Sequence, residues 1–260
     1  MRPIAPIKSG GLSAVDRPLG ECELKISIII PCFNERETIA SLLTAIEQRS
    51  NQSERECIIV DDGSTDGTPE LLTNRLADCF DCLITHDRNR GKGAAIQSGL
   101  RVASGDAVVI QDADLEYDPA EYPTLLAPIG QDRADVVYGS RFWGNEERRV
   151  GSYWHAKGNG FVTALLNMLA DVHLTDMATC YKVFRREVIA DLELSERGFG
   201  FDPEVTARVA RAGWRIVEVP ISYQPRDYSA GKKFRWRDRF RILYCIVRYN
   251  AYVPLRRQRQ

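Results

Sequence analysis

Short apolar runs rich in β-branched residues alternate with helix-periodic segments through the first half of this chain. Four such runs are typical of buried strands, and they cover residues 25–31, 56–60, 82–86 and 107–111. The segment 34–50 between the first two places Ile39, Leu42 and Ile46 on one face of a helix. Strands that alternate with helices build a parallel sheet covered on both faces. We therefore predict a single-domain α/β fold, with a mostly parallel central sheet and helices on both faces.

Carboxylates follow several of these predicted strands. Ligands of open α/β sheets bind beyond the carboxyl ends of the strands. Those ends carry Glu35, the pair Asp61 and Asp62, and the pair Asp112 and Asp114. The fold class and the residue types together predict a ligand site rich in carboxylates.

Three acidic residues, Asp112, Asp114 and Glu116, alternate after the strand predicted at 107–111. Alternate residues of an extended segment share one face, so these three carboxylates can converge. Carboxylate oxygens are hard ligands suited to Mg²⁺ or Mn²⁺, and Mg²⁺ typically binds through one or two carboxylates plus substrate phosphates. The alternative is an acidic turn exposed to solvent, because a single D-x-D sequence is common.

The composition and the missing motifs exclude several classes of protein. The chain has 260 residues, 44% of them hydrophobic, and a formal net charge of −1, which is typical of a soluble globular protein and does not indicate nucleic-acid binding. It has neither G-x-G-x-x-G after the first strand nor G-x-x-x-x-G-K-[ST], so it fits dinucleotide oxidoreductases and P-loop NTPases poorly. No run approaches the length of a membrane-spanning helix, about 20 apolar residues, and the N-terminus lacks a signal peptide's apolar core. Seven cysteines, an odd number, favour reduced thiols in a cytoplasmic protein.

Five motifs occur in a fixed order along the chain. They are Ser27-Ile-Ile-Ile-Pro-Cys-Phe-Asn-Glu35, Ile58-Ile-Val-Asp-Asp-Gly-Ser-Thr-Asp-Gly-Thr68, Arg90-Gly-Lys-Gly93, Asp112-Ala-Asp-Leu115 and Tyr138-Gly-Ser-Arg141. Together they resemble the inverting family-2 glycosyltransferases, and more narrowly the dolichol/polyprenol-phosphate mannose synthases, over residues 25–250. The resemblance implies a GT-A fold, a nucleotide-diphosphate sugar as donor, and Mg²⁺ or Mn²⁺ as cofactor.

The resemblance also implies roles for individual residues. The positions that bind the nucleotide sugar correspond to Pro31, Phe33, Glu35, Val60, Asp62, Asp112, Ala113 and Arg226. The metal-binding positions correspond to Asp112, Asp114 and Glu116, and the catalytic positions to Asp114, Arg141 and Lys232. Phe33 stands where the family usually has Tyr, so stacking is kept and a hydroxyl group is lost. The context of His86 indicates no functional role.

Two kinds of acceptor are compatible with such a transferase. A polyprenyl or dolichyl phosphate is already anionic near neutral pH, because the second pKa of a phosphate monoester is about 6, so it needs a basic pocket but no base. A soluble hydroxyl acceptor needs a general base, for which Asp202 and Glu204 are candidates. The resemblance favours the lipid phosphate, with a hexose from GDP-mannose or UDP-glucose. A sugar-nucleotide-binding protein without turnover is the third hypothesis.

Charge is distributed unevenly along the chain. Residues 232–260 contain ten Lys and Arg and one Asp, so the rest of the chain is acidic. Arginines in this segment interleave with Trp236, Phe240, Leu243, Tyr244 and Val247. This pattern predicts an amphipathic helix, either bound to an anionic membrane surface or packed on the core with its arginines in solvent.

These observations define an expected organisation. We expect a mobile tail at 1–24, a catalytic domain at 25–231 and the basic segment at 232–260. The protein is expected to be cytoplasmic and attached to the membrane periphery, without a transmembrane segment. A separate membrane-embedded partner is compatible with this arrangement.

Overall fold

A seven-stranded sheet forms the centre of the protein. The computed structural model describes residues 24–49, 54–143, 153–226 and 236–251. The strands are β1 (Ile26–Cys32), β2 (Arg55–Asp61), β3 (Cys82–Thr85), β4 (Ala107–Ile110), β5 (Val136–Ser140), β6 (Lys182–Arg185) and β7 (Ile216–Pro220). Their order in the sheet is β3-β2-β1-β4-β6-β5-β7. The four strands predicted in the first half are therefore present as expected.

Most neighbouring strands run parallel, and β6 is the exception. β1 pairs in parallel with β2 and β4, β2 with β3, and β5 with β7. β6 runs antiparallel between β4 and β5, with Val183 opposite both Val109 and Val137. Its four residues begin with a lysine, Lys182, and carry too little apolar pattern to be predicted as a central strand.

Eight helices cover this sheet within the described residues. They are α1 (Ile39–Arg49), α2 (Thr68–Asn74), α3 (Lys92–Leu100), α4 (Tyr122–Gly130), α5 (Tyr153–Ala170), α6 (Arg186–Ala190), α7 (Phe201–Ala212) and α8 (Trp236–Ala251). The residue before α2 is Gly67, so Thr68 is the first helical residue and Pro69 the second. A proline is tolerated in this first turn, because its missing N–H would have no partner within the helix.

Apolar side chains are buried on both faces of the sheet. One cluster joins β1 residues such as Ile28 to Ile39 and Leu42 of α1. A second joins Tyr138 of β5 to helices on the opposite face, including Ile246 of α8. The α/β prediction with helices on both faces is thus confirmed by the packing.

The basic C-terminal segment contributes α8 to the core. Ile242, Cys245 and Ile246 of this helix are buried, and α8 packs against α5 and α7. Its other face carries exposed Phe240 and Val247. Both interpretations of the amphipathic helix therefore have structural support. In the part of the chain that the structure describes, no helix combines the length and apolarity needed to span a bilayer.

Candidate active site

The predicted site residues follow strands that end at one edge of the sheet. β1 lies between β2 and β4, so the segments after these three strands are neighbours. Phe33 and Glu35 follow β1, Asp62 follows β2, and Asp112 follows β4. β5 and β7 run parallel to each other and end before Arg141 and Arg226.

Arg226 connects three of these segments. Its Nη2 donates to Glu35 Oε2 at 2.8 Å, and its Nε donates to the carbonyl oxygen of Asp114 at 2.7 Å. Its backbone N–H donates to Glu116 Oε1 at 2.8 Å. The guanidinium is therefore fixed beside the Asp112–Asp114 turn, where the sequence resemblance placed a phosphate-binding cation.

Glu116 departs from its expected role. Its Oε1 accepts from the backbone of Arg226, and its Oε2 accepts from the Tyr223 hydroxyl at 2.8 Å. Within the described ranges no three His, Cys, Asp or Glu side chains form a group that could hold a metal ion. Within these ranges the Glu116 carboxylate is thus occupied by protein donors, and its metal-binding role stays a prediction. Glu116 instead anchors the segment after β7. Asp112 and Asp114 are therefore the candidate pair of metal ligands.

Asp112 is held by Lys92, a half-buried lysine. Its Oδ1 lies 2.5 Å from Nζ of Lys92, which also donates to Sγ of Cys180 at 2.8 Å. Burial opposes ionisation of Asp112, but the adjacent Lys92 charge outweighs it and lowers the pKa of this carboxyl below its usual value. Asp112 is consequently an anion whose charge is already partly balanced.

Asp114 has the opposite environment. Burial, and then the negative charges of Asp112 and Glu116, raise the pKa of Asp114 to about 7. A divalent cation would relieve this repulsion, and the two carboxylates of Asp112 and Asp114 supply the hard oxygen ligands that Mg²⁺ or Mn²⁺ prefers. The residues present therefore fit a metal ion that is completed by substrate phosphates.

Asp62 organises the loop before α3. Its Oδ1 lies 2.6 Å from Nδ1 of His86 and accepts from the backbone N–H of Arg90 at 2.8 Å. Its Oδ2 accepts from the backbone N–H of Gly91 at 2.7 Å. A carboxylate offers about four acceptor positions, so one remains for a nucleobase N–H. The neighbouring Asp61 has a buried Oδ2 for which the described residues provide no hydrogen-bond partner.

His86 is a site residue that sequence patterns did not reveal. It is buried, and its Nε2 lies 2.9 Å from the Ser98 hydroxyl while its Nδ1 contacts Asp62. The available signal was its position directly after β3, at the same edge of the sheet as Asp62. A lone histidine at a strand end is too common to carry that inference by itself.

Arg141 forms a bidentate ion pair with Asp176. Its Nε and Nη2 lie 2.6 and 2.8 Å from the two carboxylate oxygens. The Asp176 side chain is fully buried, and Arg141 also lies over the Tyr223 ring at 5.0 Å. Burial disfavours the Arg141 cation, but the Asp176 charge holds its pKa well above its usual range. The pair fixes the guanidinium and leaves further N–H donors for a phosphate.

The four apolar or small members of the predicted donor set lie along β1, β2 and the turn after β4. Pro31 of β1 is paired in register with Val60 of β2. Val60 and Ala113 are buried. Phe33 is half-buried directly after β1. Lys232, the remaining predicted catalytic residue, lies outside the described residues.

The two candidates for a general base are both held inside the protein. Asp202 Oδ1 accepts from buried Lys182 at 2.6 Å. Glu204 is fully buried and accepts from the backbone N–H groups of Ser195 and Glu196 at 2.7–3.0 Å, and from Arg208 at 3.0 Å. The structure therefore corrects the expectation for Glu204, which anchors the segment before α7 and does not face an acceptor.

We expect Glu204→Gln to change stability rather than catalysis. The amide loses a charge-assisted acceptor, so the free energy of unfolding should fall by about 1–3 kcal/mol. The transfer rate per folded molecule should stay within about threefold of that of the unaltered protein. This corresponds to a change of less than about 0.7 kcal/mol in the activation free energy. Urea unfolding and initial rates measure the two quantities. A large rate loss without a stability loss would contradict this assignment and restore Glu204 as a base.

Comparison with known proteins identifies relatives. Residues 27–193 match the family described as Glycosyl transferase family 2. The undecaprenyl-phosphate 4-deoxy-4-formamido-L-arabinose transferase of Proteus mirabilis (strain HI4320) is 30% identical over 237 residues, which cover 89% of this chain and 69% of the relative. The Serratia proteamaculans (strain 568) protein of the same name is 28% identical over 237 residues with the same coverage.

Solved structures of one enzyme share the fold. Glucosyl-3-phosphoglycerate synthase from Mycobacterium tuberculosis, in complex with Mn²⁺, UDP and phosphoglyceric acid, has a TM-score of 0.69 at 21% identity, covering 91% of this chain and 83% of that one. Its complex with Mg²⁺ and UDP has a TM-score of 0.67 at 20% identity, covering 95% and 86%. Together with the family match over 27–193, these findings confirm the resemblance: the chain belongs to glycosyl transferase family 2 and has the GT-A fold.

Proposed function

We propose that this protein transfers a glycosyl group from a nucleotide-diphosphate sugar to a polyprenyl or dolichyl phosphate, with inversion and with Mg²⁺ or Mn²⁺. One observation carries the proposal: Arg226 is fixed between Glu35 and the Asp112–Asp114 turn, so a cation adjoins a carboxylate pair at the ligand edge of the sheet. The names of the Proteus and Serratia relatives, both undecaprenyl-phosphate transferases, support the acceptor. The Mn²⁺ and Mg²⁺ complexes of the structural neighbour support the metal.

The residues divide into three functional groups under this proposal. Phe33, Glu35 and Asp62 bind the nucleoside, and Asp112 and Asp114 hold the metal. A bound divalent ion neutralises charge that develops on the departing diphosphate. Arg226 and, beyond the described residues, Lys232 add positive charge on the same group.

A phosphate acceptor agrees with the state of the candidate bases. Asp202 is paired with Lys182, and Glu204 accepts hydrogen bonds from main-chain and side-chain donors. A lipid monophosphate needs no base, because its oxygen is already ionised near neutral pH. Arg141, held by Asp176, provides a cation for such an acceptor. A soluble hydroxyl acceptor would require a base from another group.

The sugar is the least constrained part of the proposal. Sequence resemblance favours a hexose from GDP-mannose or UDP-glucose. The relatives' names specify a 4-deoxy-4-formamido-L-arabinose, which is a pentose derivative. The donor panel that tests the function therefore includes both hexoses and this arabinose derivative.

Radiolabelled transfer to a short polyprenyl phosphate tests the function. We expect a lipid-linked product from at least one donor, formed with Mn²⁺ or Mg²⁺ and lost on chelation. Product on a soluble hydroxyl acceptor alone would favour the second hypothesis. Donor binding without any product would favour a sugar-nucleotide-binding protein without turnover.

An exposed apolar surface supports attachment to the membrane periphery. On α5, Phe161 and Met168 are 63% and 71% exposed, and on α8, Phe240 is 65% exposed. The two helices pack against each other, and α8 adds exposed Tyr244 and Val247. Exposed Arg239, Arg241 and Arg248 lie on the same helix. We call the exposed apolar residues Phe161, Met168, Phe240, Tyr244 and Val247 the α5/α8 face. Apolar side chains that can insert into a bilayer beside arginines suit an anionic membrane.

Removing two aromatic rings from the α5/α8 face should weaken binding to vesicles. The double variant Phe161→Ser and Phe240→Ser is expected to bind anionic vesicles at least about tenfold more weakly, because burying one such side chain is worth about 1.5–3 kcal/mol. Co-sedimentation measures this affinity. The control is Val102→Ser, which alters an exposed apolar residue after α3. Equal loss in the control, or none in the double variant, would exclude this face from membrane contact. A separate membrane-embedded partner would then be the better explanation for access to a lipid acceptor.

A further inference from the structure

A cavity of about 510 Å³ lies against α3. It is lined by His86, Arg88, Asn89, Arg90, Ala94, Gln97, Ser98, Arg101 and Arg197. None of these residues belongs to the predicted donor, metal or catalytic sets. We call this space the α3 cavity.

The walls of the α3 cavity are fixed by local structure. Ala94, Gln97, Ser98 and Arg101 recur at helical spacing, so they share one face of α3 and the residue that follows it. The opposite wall is the segment containing Arg197, whose carbonyl oxygen accepts from the backbone N–H of Ala94 at 2.9 Å. Gln97 Nε2 donates to the Glu196 carbonyl oxygen at 2.9 Å.

A glycine permits this close approach. Gly91 has φ +98, and a Cβ there would lie 2.5 Å from the Arg197 carbonyl oxygen. The segment containing Arg197 can therefore lie against the start of α3 because residue 91 has no side chain, and Gly93 is needed for the same reason, since a Cβ there would clash with the Glu196 carbonyl oxygen. The shape of the cavity thus depends on the loop that carries the Arg90-Gly-Lys-Gly93 motif.

The α3 cavity has an excess of positive charge. Four of its nine lining residues are arginines, and Arg90 is paired with Asp87 at 2.7 Å. Arg88, Arg101 and Arg197 form no ion pair with any carboxylate among the described residues. A concave surface concentrates such a field. Guanidinium groups match the oxygens of phosphate through paired N–H donors.

We propose that the α3 cavity binds a phosphate-bearing ligand, separate from the sugar-nucleotide donor, and that its occupancy changes donor affinity. Arg88, Arg101 and Arg197, which lack an ion-pair partner within the described ranges, suit a ligand with two or more negative charges. The ligand is either a free phosphate compound or the headgroup of an anionic lipid, since both present the same oxygens. The effect on the donor rests on the function proposed above; the binding itself does not.

A chain of hydrogen bonds leads from the cavity to the nucleoside subsite. Arg101 Nη2 donates to the Ser98 hydroxyl at 2.8 Å, and that hydroxyl lies 2.9 Å from His86 Nε2. His86 Nδ1 lies 2.6 Å from Asp62, the predicted base-binding carboxylate. A ligand that draws Arg101 towards its phosphate takes a donor away from Ser98. The Ser98–His86–Asp62 contacts then adjust, and Asp62 is the group that the donor meets.

Equilibrium dialysis with radiolabelled pyrophosphate tests the site directly. The full chain is used without metal, so the Asp112–Asp114 pair repels the probe. We expect one saturable site whose affinity falls at least about tenfold in Arg101→Gln and in Arg197→Gln, because each removes a charge-assisted contact. Arg75→Gln, which removes an exposed arginine from another part of the surface, should stay within about twofold. No saturable binding, or equal affinity in all four proteins, overturns the proposal. Thermal unfolding verifies that each variant is folded.

A second experiment distinguishes a lipid headgroup from a free phosphate compound. If the ligand is a lipid headgroup, Arg101→Gln should weaken binding to phosphatidylglycerol vesicles, and pyrophosphate should compete with the vesicles. If the ligand is a free compound, neither the substitution nor pyrophosphate should affect vesicle binding.

A third experiment tests the coupling to the donor site. Ser98→Ala leaves the three guanidinium groups in place and breaks the link to His86. In this variant pyrophosphate should still bind, but the part of its effect on donor KM that Arg101→Gln also removes should disappear; direct competition at the donor site should remain in both variants. A donor KM that never responds to pyrophosphate in the unaltered protein overturns the coupling. Because dialysis requires no turnover, failure of the transferase proposal would leave the binding result intact.

Discussion

Asp114→Asn is expected to lower kcat/KM for sugar transfer by at least about 100-fold, which corresponds to about 2.7 kcal/mol of lost transition-state stabilisation. Asp114 is the carboxylate whose charge is least balanced by the protein, since Lys92 pairs with Asp112 and the Arg226 guanidinium contacts only the carbonyl oxygen of Asp114. Replacing it with an amide removes the anion that a divalent ion needs most. Initial rates over a range of Mn²⁺ concentrations measure the effect.

The matched control for this experiment is Asp171→Asn. Asp171 is exposed and lies at φ +54, a conformation that asparagine also tolerates, so the same chemical change should leave activity intact. Manganese affinity, measured by titration in the presence of the nucleoside diphosphate, separates a lost ligand from a misfolded protein. Full activity in Asp114→Asn with unchanged manganese affinity would rule out the metal assignment.

The sequence predicted the sheet well where local pattern determines the structure. The strands β1, β2 and β4 contain the apolar runs 28–30, 57–60 and 107–110, and a parallel sheet buries such runs on both faces. β6 escaped prediction because its burial depends on two strands far away in sequence, β4 and β5. Its first residue, Lys182, is buried because its ammonium group donates to Asp202 and to the Thr179 carbonyl oxygen. Such a pairing is a property of the assembled core and leaves no local periodicity.

The site shows the same division between local and long-range information. The motifs place Glu35 and Asp112 directly after predicted strands, and the structure brings both to the edge of the sheet where Arg226 also lies. The hydrogen-bond partners of the side chains in the site could not be predicted from the motifs. Glu116 alternates with Asp112 and Asp114, and yet its carboxylate contacts Tyr223 and the backbone of Arg226, more than 100 positions later. Competition from such distant donors cannot be seen in the spacing of three acidic residues.

Asp176→Ala is expected to lower the free energy of unfolding by about 3–5 kcal/mol, because it leaves a buried guanidinium without its counter-charge. The Arg141 side chain is 16% exposed and that of Asp176 is fully buried, so solvent cannot replace the lost carboxylate. Asp176 also accepts from the Asn159 amide at 3.0 Å, which adds a second unsatisfied donor. Equilibrium unfolding in urea provides the measurement.

The control is Asp87→Ala, which removes a carboxylate that pairs with Arg90 at a similar distance but on the surface, with side chains 67% and 46% exposed. Exposed pairs of this kind contribute little to stability, so the control should lose only a small fraction of the free energy of unfolding that Asp176→Ala loses. Similar losses in the two variants would mean that Arg141 finds another partner when Asp176 is removed.

The same pair permits a test of function, because Arg141 has donors that Asp176 does not use. In Arg141→Lys the charge remains, but the fork that matches both Asp176 and a phosphate is lost. If Arg141 only supports the fold, the transfer rate per folded molecule should be unchanged when stability is restored by lower temperature. If it binds acceptor phosphate, the KM for polyprenyl phosphate should rise by about tenfold or more, since a charge-assisted bidentate contact is worth about 1.5–3 kcal/mol. We expect the second result, since a fully buried carboxylate fixes this guanidinium directly after β5, at the carboxyl edge of the sheet.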